Sequence, residues 1–268
     1  MLRKILTYFG ITIVTALFVL YFAFSYILKE EERDSVLCNK IEVEVLDSTI
    51  NRFVSKDEVK SILTSSENSP IGMAIDDISL YDLEKLLEER SAIRISDISL
   101  GRDGIMNVRI TQRKPLLRIQ NAEGGFYVDK ECYLFPLEKT FTSYVPIVTG
   151  NIPISVKTGQ RGNVTFEEEK WLRSVLEFGN YLERSEFWSS QVQQIHILPN
   201  KDIALYMRVG EQTILFGGFD DMERKFEKLH TFYKNVIPHK GWDRYSQINL
   251  KYADQIVCTL KEGYKQGQ

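Results

Sequence analysis

The longest pattern along the chain is apolar and has no period. Residues 5–28, ILTYFGITIVTALFVLYFAFSYIL, contain no charged side chain. As a helix rising about 1.5 Å per residue, the run reaches roughly 36 Å, against a bilayer hydrocarbon core of about 30 Å. It predicts a membrane helix over 5–28. A signal peptide has a shorter apolar core, and Tyr26, Ile27 and Leu28 offer no small-residue cleavage site. Beyond a charged stretch, Ile41, Val43 and Val45 alternate with Glu42 and Glu44, the two-residue period of a half-buried strand. Ser55 with Glu58 makes a capping-box pattern ahead of a helix whose stripe is Val59, Ile62 and Leu63. TSSENSPIG (64–72) is loop chemistry, and Ser79 caps a second helix carrying Leu80, Leu83, Leu86 and Leu87. Strands at 93–100 and 105–112 are joined by GRDG (101–104), a hairpin turn with a glycine at each end. Residues 41–112 therefore run strand, helix, helix, strand, strand, with the helices expected over one face of a three-stranded sheet.

From about residue 116 the texture changes to short apolar runs separated by turn residues: LLRI, GFYV, CYLF, VPIV, VQQIHIL, DIALYMRV and EQTILFGG. This predicts a mostly antiparallel sheet. Two helices interrupt it. Thr165 with Glu168 is a capping box before Trp171, Val175, Phe178 and Leu182; the second carries Met222, Phe226, Leu229, Tyr233 and Val236 and stops before Pro238. YSQINLKYADQIVCTL (245–260) then reads as one long closing strand. Ile248, Leu250, Tyr252, Ile256, Cys258 and Leu260 share one face, and Gln247, Asn249, Lys251, Gln255 and Thr259 the other. Asp254 on the apolar face marks a bulge or bend at Ala253–Asp254, which would expose Tyr252; without it, Tyr252 is a plain core residue. KEGYKQGQ is a polar tail.

The expected fold class is α+β, and the expected segments are as follows: a cytoplasmic terminus 1–4, a transmembrane helix 5–28, a juxtamembrane linker 29–40, a βααββ domain 41–115, a β-domain 116–261 and a tail 262–268. Composition agrees: 268 residues, 43% hydrophobic and 26% charged, suffice for packed cores. A net charge of −3 gives no footprint for nucleic acid. Arg3 and Lys4 precede the apolar run, and Lys29 and Arg33 follow it, so basic residues balance. The short leading segment and its amino-terminal charge favour N-in, with the bulk of the chain extracytoplasmic in a single-pass, type II arrangement.

Candidate chemistry is sparse. Cys38, Cys132 and Cys258 have no metal spacing; one pair is able to bond in an oxidising compartment, and Cys258 reads as a small buried hydrophobe. His196, His230 and His239 lack partners at catalytic spacing. Asp76–Asp77 and Asp220–Asp221 stand ahead of helices, where acids complement the dipole better than they suggest a metal site. NVT (163–165) fits a glycosylation acceptor, but Thr165 is already a cap. There is no phosphate loop or nucleophile elbow. The expectation is a binding protein, not an enzyme, with no cofactor and no metal.

The βααββ order is that of a POTRA domain, and four stretches resemble the FtsQ/DivIB family of division proteins. FVSKDEVKSIL (53–63) looks like its first POTRA helix and cap. MNVRITQRKPLLRI (106–119) is similar to its strand ending Glu-Arg-x-Pro, with Gln112, Arg113, Lys114 and Pro115 here. YVDKECYLF (127–135) with VPIVTG (145–150) looks like the opening of its β-domain, where the family usually has glycine in place of Cys132. The last strand resembles its closing Ile-Asp-Leu-Arg-Tyr, with Asn249 for Asp and Lys251 for Arg; lysine keeps the charge but not the planar fork. The resemblance implies a non-enzymatic divisome scaffold of the inner membrane, located at the septum, whose partners are FtsB and FtsL. An FtsB segment would add to the last strand. Lys251 and Tyr252 match the family's contact positions, with Gln255 and Val257 flanking them. The alternative is another POTRA-containing envelope-assembly or protein-transport factor. Transport proteins of that type continue into a β-barrel of alternating segments that this chain does not show.

Overall fold

The computed structural model describes residues 2–31, 36–65, 69–122, 124–154, 159 and 161–263. The charged residues 32–34, loop residues 66–68 and tail residues 264–268 lie outside the described residues, as do the side chains of Arg3 and Lys4. The first element is α1 (Leu2–Glu31), one helix of 30 residues. Its side chains are described at residue 10 and residues 12–26. All of these are exposed, from Ile13 through Phe18, Phe22 and Tyr26. Among the described residues no helix is long and apolar enough to cross a membrane.

The chain divides into two compact units, one of 1–44, 56–87 and 96–109, the other of 45–55, 88–95 and 110–268. The chain order up to residue 112 is β1 (Lys40–Val45), α2 (Lys56–Ser65), a 3-10 turn at Ile75–Asp77, α3 (Leu80–Glu88), β2 (Ile93–Leu100) and β3 (Ile105–Gln112). The three strands form a sheet in the order β1-β3-β2. This is the expected strand–helix–helix–strand–strand run. In the first unit, Ile41 and Val43, Val59 and Leu63, and Leu83 and Leu87 are buried as the periods predict, whereas Ile62, Leu80 and Leu86 are half-buried; Met106 and Val108 of β3 are buried with them. The Asp82 N–H donates to Ser79 Oγ at 3.4 Å, so Ser79 caps α3. In the GRDG turn, the Gly101 N–H donates to Ile105 O at 2.9 Å. Gly104 has φ +77°, and a Cβ there would lie 2.3 Å from Leu37 O, so only glycine fits.

The second unit holds β4 (Pro115–Asn121), β5 (Gly124–Asp129), β6 (Tyr133–Pro136), β7 (Ile147–Gly150), the two-residue β8 (Gly162–Asn163), α4 (Phe166–Arg184), α5 (Glu186–Gln191), β9 (Val192–Ile197), β10 (Ile203–Met207), β11 (Thr213–Gly217), α6 (Met222–Asn235), α7 (Ile237–Lys240), β12 (Tyr245–Asn249) and β13 (Val257–Leu260). These strands form one 10-stranded sheet, β13-β12-β11-β10-β9-β7-β4-β5-β6-β8. Most neighbours are antiparallel, as expected, but β4·β7, β7·β9 and β11·β12 are parallel. For β7·β9 and β11·β12 the reason is the helices, whereas β4 reaches β7 through the β5–β6 hairpin and residues 137–146. A parallel neighbour needs a crossover connection, and α4–α5 lie between β7 and β9 while α6–α7 lie between β11 and β12. The two long helices are the two expected; α5 and α7 are short additions. The Thr165–Glu168 capping box is formed.

These crossovers meet in an aromatic core. Phe226 of α6 lies 4.7 Å from Trp188 of α5, 4.9 Å from Phe216 of β11 and 5.5 Å from Phe178 of α4, centroid to centroid. A second cluster joins Phe53 to Tyr127, Phe135 and Phe141 at 5.5, 5.7 and 4.8 Å. The turn between β5 and β6 carries Cys132 at φ 63°. A side chain in that left-handed conformation is strained, which explains why glycine suits the position. Asp129 closes the turn. Its Oδ1 accepts from the Glu131 and Tyr133 N–H groups at 2.9 and 3.0 Å, and its Oδ2 from Arg113 Nη1 at 2.8 Å. The Arg113 guanidinium stacks 3.5 Å over the Tyr133 ring.

Gln112 is buried beside this turn at 2% exposure, and it uses both ends of its amide. Oε1 accepts from the Val54 N–H at 2.8 Å, while Nε2 donates to Asn51 O at 2.7 Å and to Asp47 Oδ1 at 3.1 Å. A carboxylate cannot make the last two bonds and would face Asp47 as a like charge. Gln112→Glu should therefore lower unfolding stability by about 3 kcal/mol, read by urea denaturation with tryptophan fluorescence; an unchanged midpoint would contradict this account of the amide.

Candidate partner-binding site

The stretch 245–260 is not one strand. β12 ends at Asn249, and the chain bends through 250–256 before returning as β13. β13 pairs antiparallel with β12, with Ile248 opposite Cys258 and Asn249 opposite Val257. The single-strand expectation fails because both strands carry apolar residues at even positions, so the alternation runs on across the break. Its consequence is specific. β12 is bonded on both sides, in parallel to β11 and antiparallel to β13, so its edge is already occupied by the chain itself. The end of the sheet is β13.

The orientation of β13's backbone follows from one bond. The Lys261 N–H donates to Arg244 O at 3.0 Å and so points toward the preceding strand. Alternate residues of a strand turn their peptide groups to opposite sides. Cys258 therefore directs N–H and C=O away from β12, as Leu260 does its N–H, while the Leu260 C=O accepts from Ser246 Oγ of β12 at 3.3 Å. Among the described residues no strand pairs with that side. The side chains of Val257 and Leu260 are exposed, and Cys258 packs against the core. Burial pushes the Cys258 thiol up, away from the thiolate form that reacts.

The expected contact residues fall in different settings. Tyr252 lies in the bend that Asp254 had marked, and it is 49% exposed. Gln255 is also exposed, but it precedes β13 and is not in a pairing strand. Val257 opens β13. Lys251 is half-exposed and already engaged: its Nζ donates to Asp202 Oδ2 at 2.6 Å. Asn200 Nδ2 donates to the same oxygen at 2.9 Å. The hydrogen bond to Asp202, and then its charge, hold the Lys251 ammonium above the ordinary lysine value. The stem of Lys251 crosses Gly217, which has φ +84°; a Cβ there would lie 3.0 Å from Lys251 Cγ. Asp202 stands on the approach to β10, 49 residues from Lys251 along the chain. No local motif announces that pairing.

His196, His230, Asp220 and Asp221 have structural partners, whereas the side chains of Asp76, Asp77 and His239 are exposed. His196 Nδ1 shares a 2.8 Å hydrogen bond with Thr149 Oγ1, and His230 lies 5.3 Å from the Phe187 ring. Asp220 Oδ2 accepts from the buried Lys225 at 3.2 Å, and Asp221 Oδ2 from Arg224 at 2.8 Å. Cys38, Cys132 and Cys258 are free thiols. Among the described residues no group of three His, Cys, Asp or Glu is placed to hold a metal ion. A cleft of about 350 Å³ beside Pro115, Phe141, Tyr144 and Leu182 has Lys114 and Glu183 on its wall, and these two are paired at 2.7 Å.

A family model described as FtsQ/DivIB, C-terminal related, matches residues 114–259, more than half of the chain and all of the candidate edge except its last residue. A POTRA-like domain model matches residues 36–111. No curated protein matches the chain. The geometry makes one electrostatic claim that stands apart from any partner. Asp202→Asn should bring the Lys251 ammonium pKa down toward that of a free lysine, because the opposite charge is what favours the protonated form. A side-chain NMR titration measures this; no movement would show that Asp202 does not govern Lys251.

Proposed function

Because the chain belongs to the FtsQ/DivIB family, we propose that it is a membrane-anchored, non-enzymatic scaffold of the bacterial divisome that binds FtsB- and FtsL-type partners outside the cytoplasm. The observation that carries this reading is β13: an edge strand whose residues 257–259 lie inside the family-matched region, with an outward N–H and C=O at Cys258, an outward N–H at Leu260 and exposed apolar side chains. A partner segment adds to β13 rather than to β12, and main-chain bonds set its register. Tyr252 offers a large apolar body at one end of the edge, and Val257 flanks it. Lys251 meets an acidic partner side chain only by sharing or leaving Asp202. Gln255 supplies a polar contact ahead of the strand.

The anchor is α1, with 5–28 in the bilayer, the amino terminus inside and the POTRA-like domain (41–115) and β-domain (116–261) outside, at the septum. Apolar side chains exposed along the described part of α1 support this, since a helix apolar all round needs a non-aqueous surrounding. The POTRA-like domain supports a role beside the membrane and docks further division proteins.

Two experiments test the proposal. The full-length chain with Cys258→Pro loses an outward donor without losing a bond to β12, a position where an edge strand tolerates proline. It should fold, by circular dichroism, yet fail to co-purify with the FtsB-type protein of its cell; undiminished recovery would rule out strand addition at β13. Depletion of the protein should give filamentous, undivided cells. A secretion defect with normal division would instead identify a POTRA-containing transport or envelope-assembly factor.

A further inference from the structure

Residues 250–256 carry Tyr252, and only the ends of this connection pack: Leu250 is fully buried and Ile256 lies against the core. Tyr252, Ala253, Asp254 and Gln255 are all exposed. Exposed segments with few apolar contacts open at low free-energy cost. Its opening residues are nonetheless fixed. The Leu250 N–H donates to Leu215 O at 2.9 Å, and the Lys251 N–H to Asn249 Oδ1 at 3.0 Å. The remaining tie comes from a different element. Lys228, in the middle of α6, extends its ammonium to two carbonyls of the bend: Leu250 O at 3.1 Å, and Tyr252 O in a closer contact.

The environment of Lys228 makes this tie unusual. Burial, and then the charges of Arg224 and Lys225, hold its ammonium below the ordinary lysine value, and Asp254 opposes the shift. A cation placed beside two others is poorly satisfied unless its protons are taken up. The two carbonyls do this through charge-assisted bonds, which are the stronger kind. The aromatic core fixes α6 through Phe226 and Leu229, the latter next in sequence to Lys228. The clamp therefore connects a rigid helix to the exposed middle of the bend.

We infer that Lys228 is a positioning residue for the partner site: it orders 250–256 and so presents Tyr252, without touching the partner itself. The inference deepens the proposed function and rests on it for the partner's part. Holding a contact residue in its bound geometry removes an ordering cost that binding would otherwise meet. The tie made by Lys251 differs in kind, since it fixes a side chain to Asp202, whereas Lys228 fixes the backbone on both sides of Lys251.

The test uses the full-length chain in detergent, with Lys228→Met and Lys228→Arg. The methionine variant keeps the stem and loses the donors; arginine keeps donors. Hydrogen exchange should speed up over 250–256 in Lys228→Met and not across α6 or β11, and Lys228→Arg should retain most of the protection. Affinity for the FtsB-type protein of the same cell should fall about tenfold in Lys228→Met. In a Tyr252→Ala background the same substitution should have no further effect on affinity, because it acts through that residue. Unchanged exchange over 250–256 would overturn the inference whatever the partner does. Equal affinity losses with and without Tyr252 would also overturn it. If exchange changes as expected while the wild-type chain does not bind the FtsB-type protein at all, the clamp stands and the proposed partner falls.

Discussion

Every peptide group buried in a sheet needs a partner, and an open sheet must stop somewhere. That constraint organises the functional reading of this chain. Within the second unit, strand after strand is bonded on both sides until β13, where the ladder ends with four residues. Unfilled backbone donors and acceptors form a template whose register is set before any side chain is chosen. Main-chain bonds alone do not discriminate between partners, so the side chains beside the edge must do so. Tyr252, Val257 and Leu260 are each between 41% and 49% exposed. Their apolar bodies are the material such discrimination uses, at roughly 1.5–3 kcal/mol for a large side chain taken fully out of water.

Much of the first unit was legible in the sequence because its signals are local. Alternation at Ile41 and Val43, the cap at Ser79 and the glycines at 101 and 104 each specify their own element. The second unit was legible for its elements and less so for their pairing. Short strands flanking a long helix announce a parallel neighbour, and that signal, between β7 and β9 and between β11 and β12, is present in the sequence. The density of short apolar runs predicts a mostly antiparallel sheet, as most neighbours are, but does not locate these parallel pairs.

The candidate edge shows where period analysis gives out. Ile248 and Leu250 of one run, and Ile256, Cys258 and Leu260 of the next, all fall on even positions, so a hairpin and a continuous strand give the same pattern. Asp254 is the charged residue on the apolar face, and it lies in the bend. What no pattern contains is the set of contacts that hold the bend: Asp202 on Lys251, and Lys228 on Leu250 and Tyr252. These join residues 22 to 49 apart in sequence, through charged groups whose partners are chosen by the fold.

An open edge means little if every edge of the protein is equally open, and here they are not. In the three-stranded sheet, β2 is an outer strand, and the Ile98 N–H donates to Glu84 Oε1 of α3 at 2.9 Å, so a helix covers it. The other outer strand, β1, exposes Lys40, Glu42 and Glu44, and inserted charge is a device that discourages pairing with a foreign strand. At the far end of the large sheet, β8 is two residues long, too short to serve as a template. β13 uses none of these devices. It reads Val-Cys-Thr-Leu, with no charge and no proline, and its exposed residues are apolar or neutral. A chain that blunts three edges and, among the described residues, leaves the fourth unprotected keeps an aggregation hazard in place. Such a hazard is retained where a partner covers it, and that argument favours β13 as the working surface independently of the family to which the chain belongs.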